Sequence, residues 1–263
     1  MRILVCIKQI PENINELDIN TSKTNLTIPE TMKYRINRFD EHAIEAAISI
    51  KEKFSDTLVD IITVGPLSTE GIIKRAMGMG ADNGFIVQVD SNTYLSPSTL
   101  SSYLATVANL KKYNLILTGI MSEDEMNAQT GQMIAARLKI PSITGVVNIR
   151  IIDDKVHIKR EREGGIIEDL SVDMINQDQI LLTIQAGINS PRYPSLSALL
   201  KANSKKIRVF DPVELVSESL KNDQSTIYIK KAEKIRQGKI LHGTLEEKAK
   251  QFIDIMKERN VLV

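Results

Sequence analysis

Cysteine, tryptophan and histidine are scarce in this chain of 263 residues. It has one cysteine, Cys6, no tryptophan, and histidines only at positions 42, 157 and 242. One cysteine excludes a disulfide framework and a thiolate metal cage, and the three histidines lack the spacing of metal ligands. Aromatic residues make up only 4% of the chain, which argues against the stacked rings that bind single-stranded nucleic acid.

An excess of charge of one sign is also lacking. The chain has 34 Lys and Arg against 33 Asp and Glu, a net charge of +1, so it has no overall field for nucleic acid or an acidic membrane. No apolar run approaches the roughly 20 residues of a membrane span. The apolar start, Met1–Ile7, is too short for a signal peptide. The sequence predicts a reduced, cytoplasmic protein that binds no nucleic acid and does not insert into a membrane.

Short apolar runs alternate with helical patterns over the first two thirds of the chain. This alternation is typical of an α/β, doubly wound, mostly parallel, Rossmann-like sheet. Four strands are predicted at Ile3–Ile7, Leu58–Val64, Phe85–Val89 and Leu115–Thr118, with helices over Phe39–Phe54, Ser68–Met77, Ser96–Lys112 and Gln129–Leu138. We expect Ser68 to cap the second of these helices.

The pattern changes after about residue 143. Strands predicted at Val147–Ile152, Lys155–Arg160, Ile166–Val172 and Ile180–Ile184 extend the sheet at an antiparallel edge. The polar segment Glu12–Arg35 is expected to be an excursion that carries a hairpin. Thr244–Arg259 predicts an amphipathic helix, too short to hold a core of its own, which must therefore pack on this domain or on a partner. We therefore predict a nucleotide-binding domain over residues 1–209 and an extended C-terminal arm over residues 210–263.

The loop after the fourth strand carries the strongest signal for a site. In an open parallel sheet of order 3-2-1-4-5, ligands bind between the ends of the first and fourth strands. Lys8 closes the first strand, and Gly119 opens a polar loop that reaches a helix at residues 129–132. Free amides at that helix start, the Thr130 hydroxyl, and Gly131, which lets a backbone come close, make an anion site that suits a phosphate.

Helix capping alone is the simpler explanation for such a loop, because many loops between a strand and a helix carry a polar residue and a glycine. No Gly-x-Gly-x-x-Gly follows the first strand and there is no Walker A motif, so the sequence indicates neither a standard dinucleotide fold nor a P-loop NTPase. No Ser/His/Asp or Cys/His set is spaced for nucleophilic catalysis. No catalytic or metal-binding residue is predicted.

Six motifs follow one another between residue 1 and about residue 212. They are Lys8-Gln-Ile-Pro11, Asn37-Arg-Phe-Asp-Glu41, Gly78-Met-Gly-Ala-Asp82, Ala128-Gln-Thr-Gly-Gln132, Arg160-Glu-Arg-Glu-Gly-Gly165 and Asn189-Ser-Pro-Arg-Tyr193. Together they resemble the beta subunit of electron-transfer flavoproteins, including nitrogen-fixation-type and electron-bifurcating relatives. Each motif is modest, but six in the same order are specific.

The resemblance implies a heterodimer with an alpha subunit that carries electrons from acyl-CoA or other dehydrogenases to a quinone oxidoreductase or another acceptor. FAD is expected mainly on the alpha subunit, near the interface, and AMP in this chain. In bifurcating relatives a second FAD takes the AMP position and NADH is oxidised there. The late helix resembles the C-terminal arm of some members, which implies docking on the partner subunit.

The resemblance also assigns a nucleotide site, in which backbone groups do much of the binding. AMP carriers have an acidic triple in the loop, then a variable residue, then Asn-Gln-Thr-Gly. Here Met126 takes the third acidic position and Ala128 replaces the Asn. The Ala resembles bifurcating and nitrogen-fixation members, whereas Gln129-Thr-Gly-Gln132 resembles the AMP carriers, so AMP and FAD both stay open. The expected site residues are Cys6, Asn37, Arg38, Phe39, Asp40, Val64, Asp124, Glu125, Met126, Asn127, Ala128, Gln129, Thr130, Gly131, Gln132, Met133, Ile134 and Ala135.

Leu196, Glu161 and Cys6 have two possible interpretations each, and His42 has one. Leu196 matches an exposed leucine that docks partner dehydrogenases, or is an ordinary apolar residue at a helix start. Glu161 matches a glutamate that faces an arginine of the alpha subunit near the flavin, or belongs to a solvated edge strand with alternating charges. Cys6 is expected to be a small buried residue rather than a reactive thiol. His42 is expected at the surface.

Three functions are compatible with these patterns. The first is a carrier subunit with AMP or flavin bound. The second is a bifurcating subunit that binds FAD and receives hydride from NADH. The third is a stand-alone ATP-binding stress-type protein, which predicts a homodimer and a glycine-rich triphosphate loop, and the sequence has no such loop.

Overall fold

A computed structural model describes residues 1–20, 22, 26–90, 94–174, 178–215, 227–231 and 238–259. By its internal contacts the chain divides into two compact units, residues 1–227 and residues 228–263. The arm predicted from residue 210 onward, and its docking on a partner subunit, stay predictions. Residues 216–226, 232–237 and 260–263 of that arm lie outside the described part of the chain.

The first unit is built on one large sheet with helices on both faces, which confirms the α/β doubly wound fold. The strands of this sheet are β1 (Arg2–Cys6), β6 (Leu58–Gly65), β7 (Asn83–Gln88), β8 (Leu115–Gly119), β9 (Ser142–Ile152), β10 (Lys155–Arg162), β11 (Ile166–Asp173), β12 (Ile180–Ile184) and β13 (Arg208–Phe210). Their order across the sheet is β11-β10-β9-β12-β8-β1-β6-β7-β13.

The first four predicted strands occupy the expected places. Strand β1 pairs in parallel with β6 on one side and with β8 on the other, so that Ile3 lies between Val59 and Leu115. All three of these side chains are fully buried, because a parallel sheet covered on both faces has no polar side. The resulting order, β7-β6-β1-β8, places the reversal of strand order between β1 and β8.

The helices of the first unit divide between the two faces of the sheet. Helices α1 (Arg38–Lys53) and α2 (Glu70–Met79) pack with α5 (Leu196–Ser204) in one hydrophobic cluster. Helices α3 (Pro97–Lys111) and α4 (Thr130–Leu138) belong to the other cluster. The short helix α6 (Pro212–Leu215) follows β13. Two cores on opposite faces are the physical meaning of a doubly wound fold.

Two sequence predictions about the sheet and its helices need correction, and one strand of the sheet was missed. Strand β12 does not lie at an antiparallel edge, because it pairs in parallel with both β8 and β9 inside the sheet. Strand β13, which extends the opposite edge by pairing with β7, was not predicted. Helix α2 begins at Glu70 after a 3-10 turn at Leu67–Thr69, and Ser68 lies within that turn instead of capping the helix.

The rest of the edge follows the prediction. Strands β9, β10 and β11 form an antiparallel meander, in which Ile158 pairs with Ile149 and with Leu170. The polar excursion carries two small antiparallel pairs, β2 (Gln9–Pro11) with β5 (Tyr34–Ile36), and β3 (Asp18–Ile19) with β4 (Leu26–Thr27). The second pair is the expected hairpin.

Within the second unit, helix α7 (Leu245–Glu258) has the predicted bounds to within one residue at each end. Thr244 and Glu247 form a capping box, in which each side chain accepts from the backbone amide of the other. Leu245, Phe252 and Ile253 are exposed. In the described part of the chain, no helix has both the length and the apolar character required to cross a membrane.

Candidate functional site

A pocket opens at the carboxyl ends of β1 and β8, where the strand order reverses. This is the position at which open α/β sheets bind ligands. Its walls come from the ends of β1, β6 and β8, from the start of α1, from α3, and from the loop that joins β8 to α4. The lining residues are Cys6, Ile7, Lys8, Asn37, Asp40, Val64, Leu100, Leu104, Thr118, Gly119, Ile120, Met121, Ser122, Glu125, Asn127, Ala128, Gln129, Thr130 and Gly131.

The buried carboxylate of Asp40 holds the two strand ends together at the floor of the pocket. It accepts hydrogen bonds from the backbone amides of Lys8 (2.8 Å) and Gly119 (2.9 Å). Burial raises the pKa of Asp40 to about 7, although both amides favour the ionised form. A side chain at position 119 would not fit, since a Cβ there would lie 2.5 Å from Asp40 Oδ1. This link between the two strand ends therefore requires both Asp40 and Gly119.

Asn37, which is almost fully buried, clamps the loop after β8. Its Nδ2 donates to the carbonyl of Met121 (2.9 Å), and its Oδ1 accepts from the amide of Glu123 (3.1 Å). Because its side chain holds this loop, Asn37 does not cap the helix that it precedes. The side chain of Glu123 instead accepts from the first amide of the helix, that of Arg38 (3.1 Å), and from the guanidinium of Arg35 (2.8 Å).

Each carboxylate of this loop lies beside a cation. Burial disfavours the Glu123 carboxylate, yet the hydrogen bonds from Arg35 and the Arg38 amide hold its pKa below the usual value. Lys8 Nζ lies 2.8 Å from Asp124 Oδ2 and 3.0 Å from Glu125 Oε1. Burial works against the Lys8 ammonium, but these two carboxylates outweigh it and raise its pKa. Lys8 and Arg35 thus offset part of the negative charge of the three carboxylates in the loop.

The start of α4 offers free donors to the pocket. Gln129 precedes the helix and makes no side-chain capping bond, so the amides of the first turn have no partner within the helix. Gly131 brings this turn against the sheet, since a Cβ there would lie 2.7 Å from Thr183 Cγ2 and 2.9 Å from Thr118 Oγ1. The buried Oε1 of Gln132, in the same turn, has no hydrogen-bond partner in the described structure.

The loop reaches this helix through an unusual backbone. Met126 and Ala128 have φ values of 54° and 52°, in the left-handed region that glycine and asparagine tolerate best. The amide of Met126 donates to the carbonyl of Ser122 at 2.9 Å, which closes a turn. The non-glycine residue at position 128 thus adopts a costly conformation in order to line the pocket.

The pocket gathers many of the residues expected from the sequence, although binding by any of them stays a prediction. Ten of them line it: Cys6, Asn37, Asp40, Val64, Glu125, Asn127, Ala128, Gln129, Thr130 and Gly131. Others lie beside it, and two of these, Ile134 and Ala135, are buried in the core that packs α4 on the sheet. Arg38, Phe39, Asp124, Met126, Gln132 and Met133 do not line it.

Some lining residues were missed by the sequence reasoning. Leu100 and Leu104 lie one turn apart on α3 and form an apolar wall. Both fall in a helix predicted from the sequence, but no motif marked either of them as a pocket residue. Lys8 was noted only as the end of the first strand, and its two ion pairs join segments more than 110 residues apart.

Cys6 is buried, as expected. Burial, and next the nearby charge of Asp40, raise the pKa of its thiol, so it stays protonated and is a poor nucleophile. His42 was expected at the surface, and this is wrong. It is buried on the inner side of α1, where Nδ1 lies 2.9 Å from Asn189 Oδ1. In the described part of the chain, no cluster of metal-ligating side chains is present.

Leu196 and Glu161 lie away from the pocket. Leu196 is the first residue of α5, after Ser195, whose hydroxyl accepts from the amide of Ala198. It is both a helix-start residue and an exposed one, with 74% of its surface open. Glu161 is exposed near the end of β10, opposite Ile167 of the edge strand β11.

Comparison with known proteins gives a consistent result. The electron transfer flavoprotein domain model matches residues 25–215. The caffeyl-CoA reductase-Etf complex subunit CarD of Acetobacterium woodii is 34% identical over 215 residues, which cover 80% of this chain and 78% of that protein. The electron transfer flavoprotein subunit beta of Homo sapiens is 31% identical over 82% of this chain and 83% of its own. The subunit beta of Thermoanaerobacterium thermosaccharolyticum is 30% identical over the full length of both chains.

Proposed function

Because this chain belongs to the electron transfer flavoprotein family as a beta subunit, we propose that it binds an adenine nucleotide in the pocket between β1 and β8. It does so as half of a heterodimer with an alpha subunit. The heterodimer carries electrons from acyl-CoA or other dehydrogenases to a quinone oxidoreductase or another acceptor. FAD on the alpha subunit supplies the redox chemistry, since a flavin both accepts and releases electrons.

The observation that carries this proposal is the uncapped first turn of α4 at the switch point of the sheet. Free amides at a helix start favour a phosphate through hydrogen bonds and through the helix dipole. Gly131 lets the first turn of α4 pack closely on the sheet at the pocket, and Lys8 pairs with Asp124 and Glu125 and so weakens their repulsion of an anion. The residues present therefore fit a nucleotide phosphate.

The remainder of the pocket fits the other parts of a nucleotide. Leu100, Leu104 and Val64 offer an apolar surface of the kind that covers a purine ring. Asn127 and Gln129 bring polar side chains to the opposite wall. This chain thus binds and orients the nucleotide, and we assign it no proton transfer.

A second candidate function uses the same pocket for FAD. The nucleotide there would accept hydride from NADH, and the heterodimer would be electron-bifurcating. Two observations favour it: Ala128 stands where AMP carriers have Asn in the resemblance, and one relative is by name a subunit of a caffeyl-CoA reductase-Etf complex.

Counting nucleotides separates the two candidates. The heterodimer, purified from co-expressed subunits, is denatured and its released nucleotides are identified and counted by HPLC. The carrier function predicts one FAD and one AMP per heterodimer, and the bifurcating function predicts two FAD and reduction by NADH. A heterodimer that releases one FAD and no second adenine nucleotide would show that the pocket has another use.

Partner contacts are assigned to three places in this chain. We assign Leu196 to docking of the dehydrogenase, Glu161 to the subunit interface near the flavin, and helix α7 to docking on the alpha subunit. The exposed apolar side chains of α7 support its role, since an amphipathic helix normally buries such a face. The buried free thiol of Cys6 suits a cytoplasmic location.

A further inference from the structure

The segment that leads into Leu196 is tied to helix α1 by side chains. We call residues 189–196 the docking loop. At its start, Asn189 Nδ2 donates to the carbonyl of His42 (2.9 Å), and Asn189 Oδ1 faces His42 Nδ1 at 2.9 Å. Because the Asn189 oxygen can only accept, His42 must carry its proton on Nδ1. The buried histidine is therefore a donor that fixes the first residue of the docking loop.

A second tie follows three residues later and is ionic. Arg192 donates to Glu45 from its backbone amide (3.1 Å), from Nε (2.9 Å) and from Nη2 (2.8 Å). Its guanidinium also donates to Glu52, two turns further along α1. The hydrogen bonds that Arg192 donates to Glu52 and Glu45 raise its pKa further above the usual value. The Glu45 carboxylate is buried, while the Arg192 side chain is partly exposed, and this pair holds both the side chain and the backbone of the loop.

Helix α2 supports the docking loop from the other side. Gly78 leaves room for it, since a Cβ there would lie 2.9 Å from Leu199 and 3.1 Å from Pro194. The guanidinium of Arg75 stacks over the ring of Tyr193 at 5.6 Å and pairs with Glu41 of α1 at 3.2 Å. The docking loop is therefore held between two helices, and its two prolines restrict the backbone further.

The orientation of the docking loop is the reverse of ordinary packing. Its polar residues, Asn189 and Arg192, point inward to partners on α1, while Leu196 and Tyr193 are left largely exposed to water. Ion pairs and hydrogen bonds that hold an exposed leucine in place give no hydrophobic gain to the chain itself. A rigid exposed apolar residue does lower the entropy lost when a partner binds.

We propose that His42 and Glu45 are positioning residues for partner docking, which hold the docking loop in the conformation that presents Leu196. This inference rests on the proposed function, because it takes Leu196 to be the contact with the dehydrogenase. Neither residue touches the partner. Both act by keeping the loop ordered before the partner arrives.

The test compares Glu45→Gln with Glu52→Gln in the co-purified heterodimer. Both variants remove one carboxylate charge from Arg192, but only Glu45 is buried and accepts from the backbone amide of residue 192. Amide hydrogen exchange over residues 189–196 should be at least about tenfold faster in Glu45→Gln and close to wild type in Glu52→Gln. Asn189→Ala, which removes the other tie, should also speed exchange. Unchanged exchange in Glu45→Gln overturns the inference.

Electron transfer gives the second arm. With a purified acyl-CoA dehydrogenase that reduces the wild-type heterodimer as donor, Glu45→Gln should raise KM about tenfold and leave kcat unchanged. Adding Leu196→Ala to Glu45→Gln should cost less than the product of the single effects, since both act through one contact. Full additivity overturns the positioning role. A wild-type rate of electron transfer in Leu196→Ala overturns the docking role of Leu196 itself. Amide hydrogen exchange needs no partner, so it distinguishes failure of the positioning role from failure of the docking role.

Discussion

The carboxylate of Asp40 lies 2.9 Å from the backbone amide of Gly119 and accepts its hydrogen bond. This contact joins the start of α1 to the end of β8, 79 positions later in the chain. The same carboxylate holds the amide of Lys8 at the end of β1. One side chain thus fixes the two strand ends between which the pocket opens, and the first two predictions concern it.

Gly119→Ala tests the close approach. The added Cβ would lie 2.5 Å from Asp40 Oδ1 and 2.6 Å from Phe39 Cβ, so either the Asp40 carboxylate or the start of α1 must move. We expect a loss of about 1–3 kcal/mol in the free energy of unfolding, measured in urea. Gly71→Ala is the matched control, because nothing lies within 4 Å of its added methyl, and it should stabilise the chain by about 0.5–1 kcal/mol. Equal changes in the free energy of unfolding for Gly119→Ala and Gly71→Ala would contradict the close contact between Gly119 and Asp40.

The titration of Asp40 makes a prediction about pH. The pKa of Asp40 is about 7 in the folded chain against 3.8 for the ordinary group, so the folded state binds the proton more tightly. Stability due to this group is fully present below pH 4 and is lost as pH rises through about 7. Urea unfolding of wild type and Asp40→Asn at several pH values should show the wild-type advantage falling across this window. A stability difference between wild type and Asp40→Asn that does not change with pH would contradict the raised pKa of Asp40.

The positive φ at Ala128 predicts that two substitutions act differently. Ala128→Gly relieves the left-handed backbone and should stabilise the chain by about 1 kcal/mol without adding a contact. Ala128→Asn also tolerates that backbone and adds the side chain found in AMP carriers in the resemblance, so AMP affinity should rise. Calorimetric titration with AMP measures the second effect. Equal AMP affinity in both variants would assign the gain to the backbone alone.

Leu196→Ala should weaken electron transfer from a donor dehydrogenase while leaving the flavin spectrum of the heterodimer unchanged. Loss of a central apolar contact costs roughly 1–2 kcal/mol, which corresponds to about a tenfold fall in kcat/KM. Leu200→Ala is the control, since Leu200 is one turn further along α5 and also exposed. A larger loss in Leu200→Ala than in Leu196→Ala would move the contact to another part of the helix.

Glu161→Gln tests the proposed interface near the flavin. Glu161 is exposed on β10, so the free chain should lose less than about 0.5 kcal/mol of stability. The proposal sets Glu161 opposite an arginine of the alpha subunit near the flavin, so removal of its negative charge should raise the flavin reduction potential of the heterodimer, by on the order of 30 mV. Glu163→Gln, in the following turn, is the control. Equal potentials in wild type and Glu161→Gln would place Glu161 on a solvated edge.

Several elements follow from local sequence because their cause is local. The buried runs at the first four predicted strands are apolar on both faces, and that alone indicates a covered parallel sheet. Ser96 and Thr244 cap their helices as the sequence patterns favour. The polar loop after the fourth strand was identified as a site because strand order places it there by a general rule.

Other features depended on partners that are remote in the chain. The run Ile180–Ile184 indicated a strand, but only its pairing with β8 and β9 placed it inside the sheet. His42 has charged neighbours in sequence, and what buries it is Asn189, 147 positions away. Leu100 and Leu104 form a pocket wall only because α3 packs on the sheet beside the carboxyl ends of its strands.

The sequence by itself determined the alternation of strands and helices, the family, and the loop at which a phosphate is expected. Periodicity, turn residues and short motifs are local properties, and they can be read without knowing what lies nearby. The tertiary structure decided which groups meet: Asp40 with two strand ends, Lys8 with Asp124 and Glu125, and Arg192 with Glu45. These contacts depend on the packing of distant segments, and their strength depends on burial, neither of which a linear pattern records.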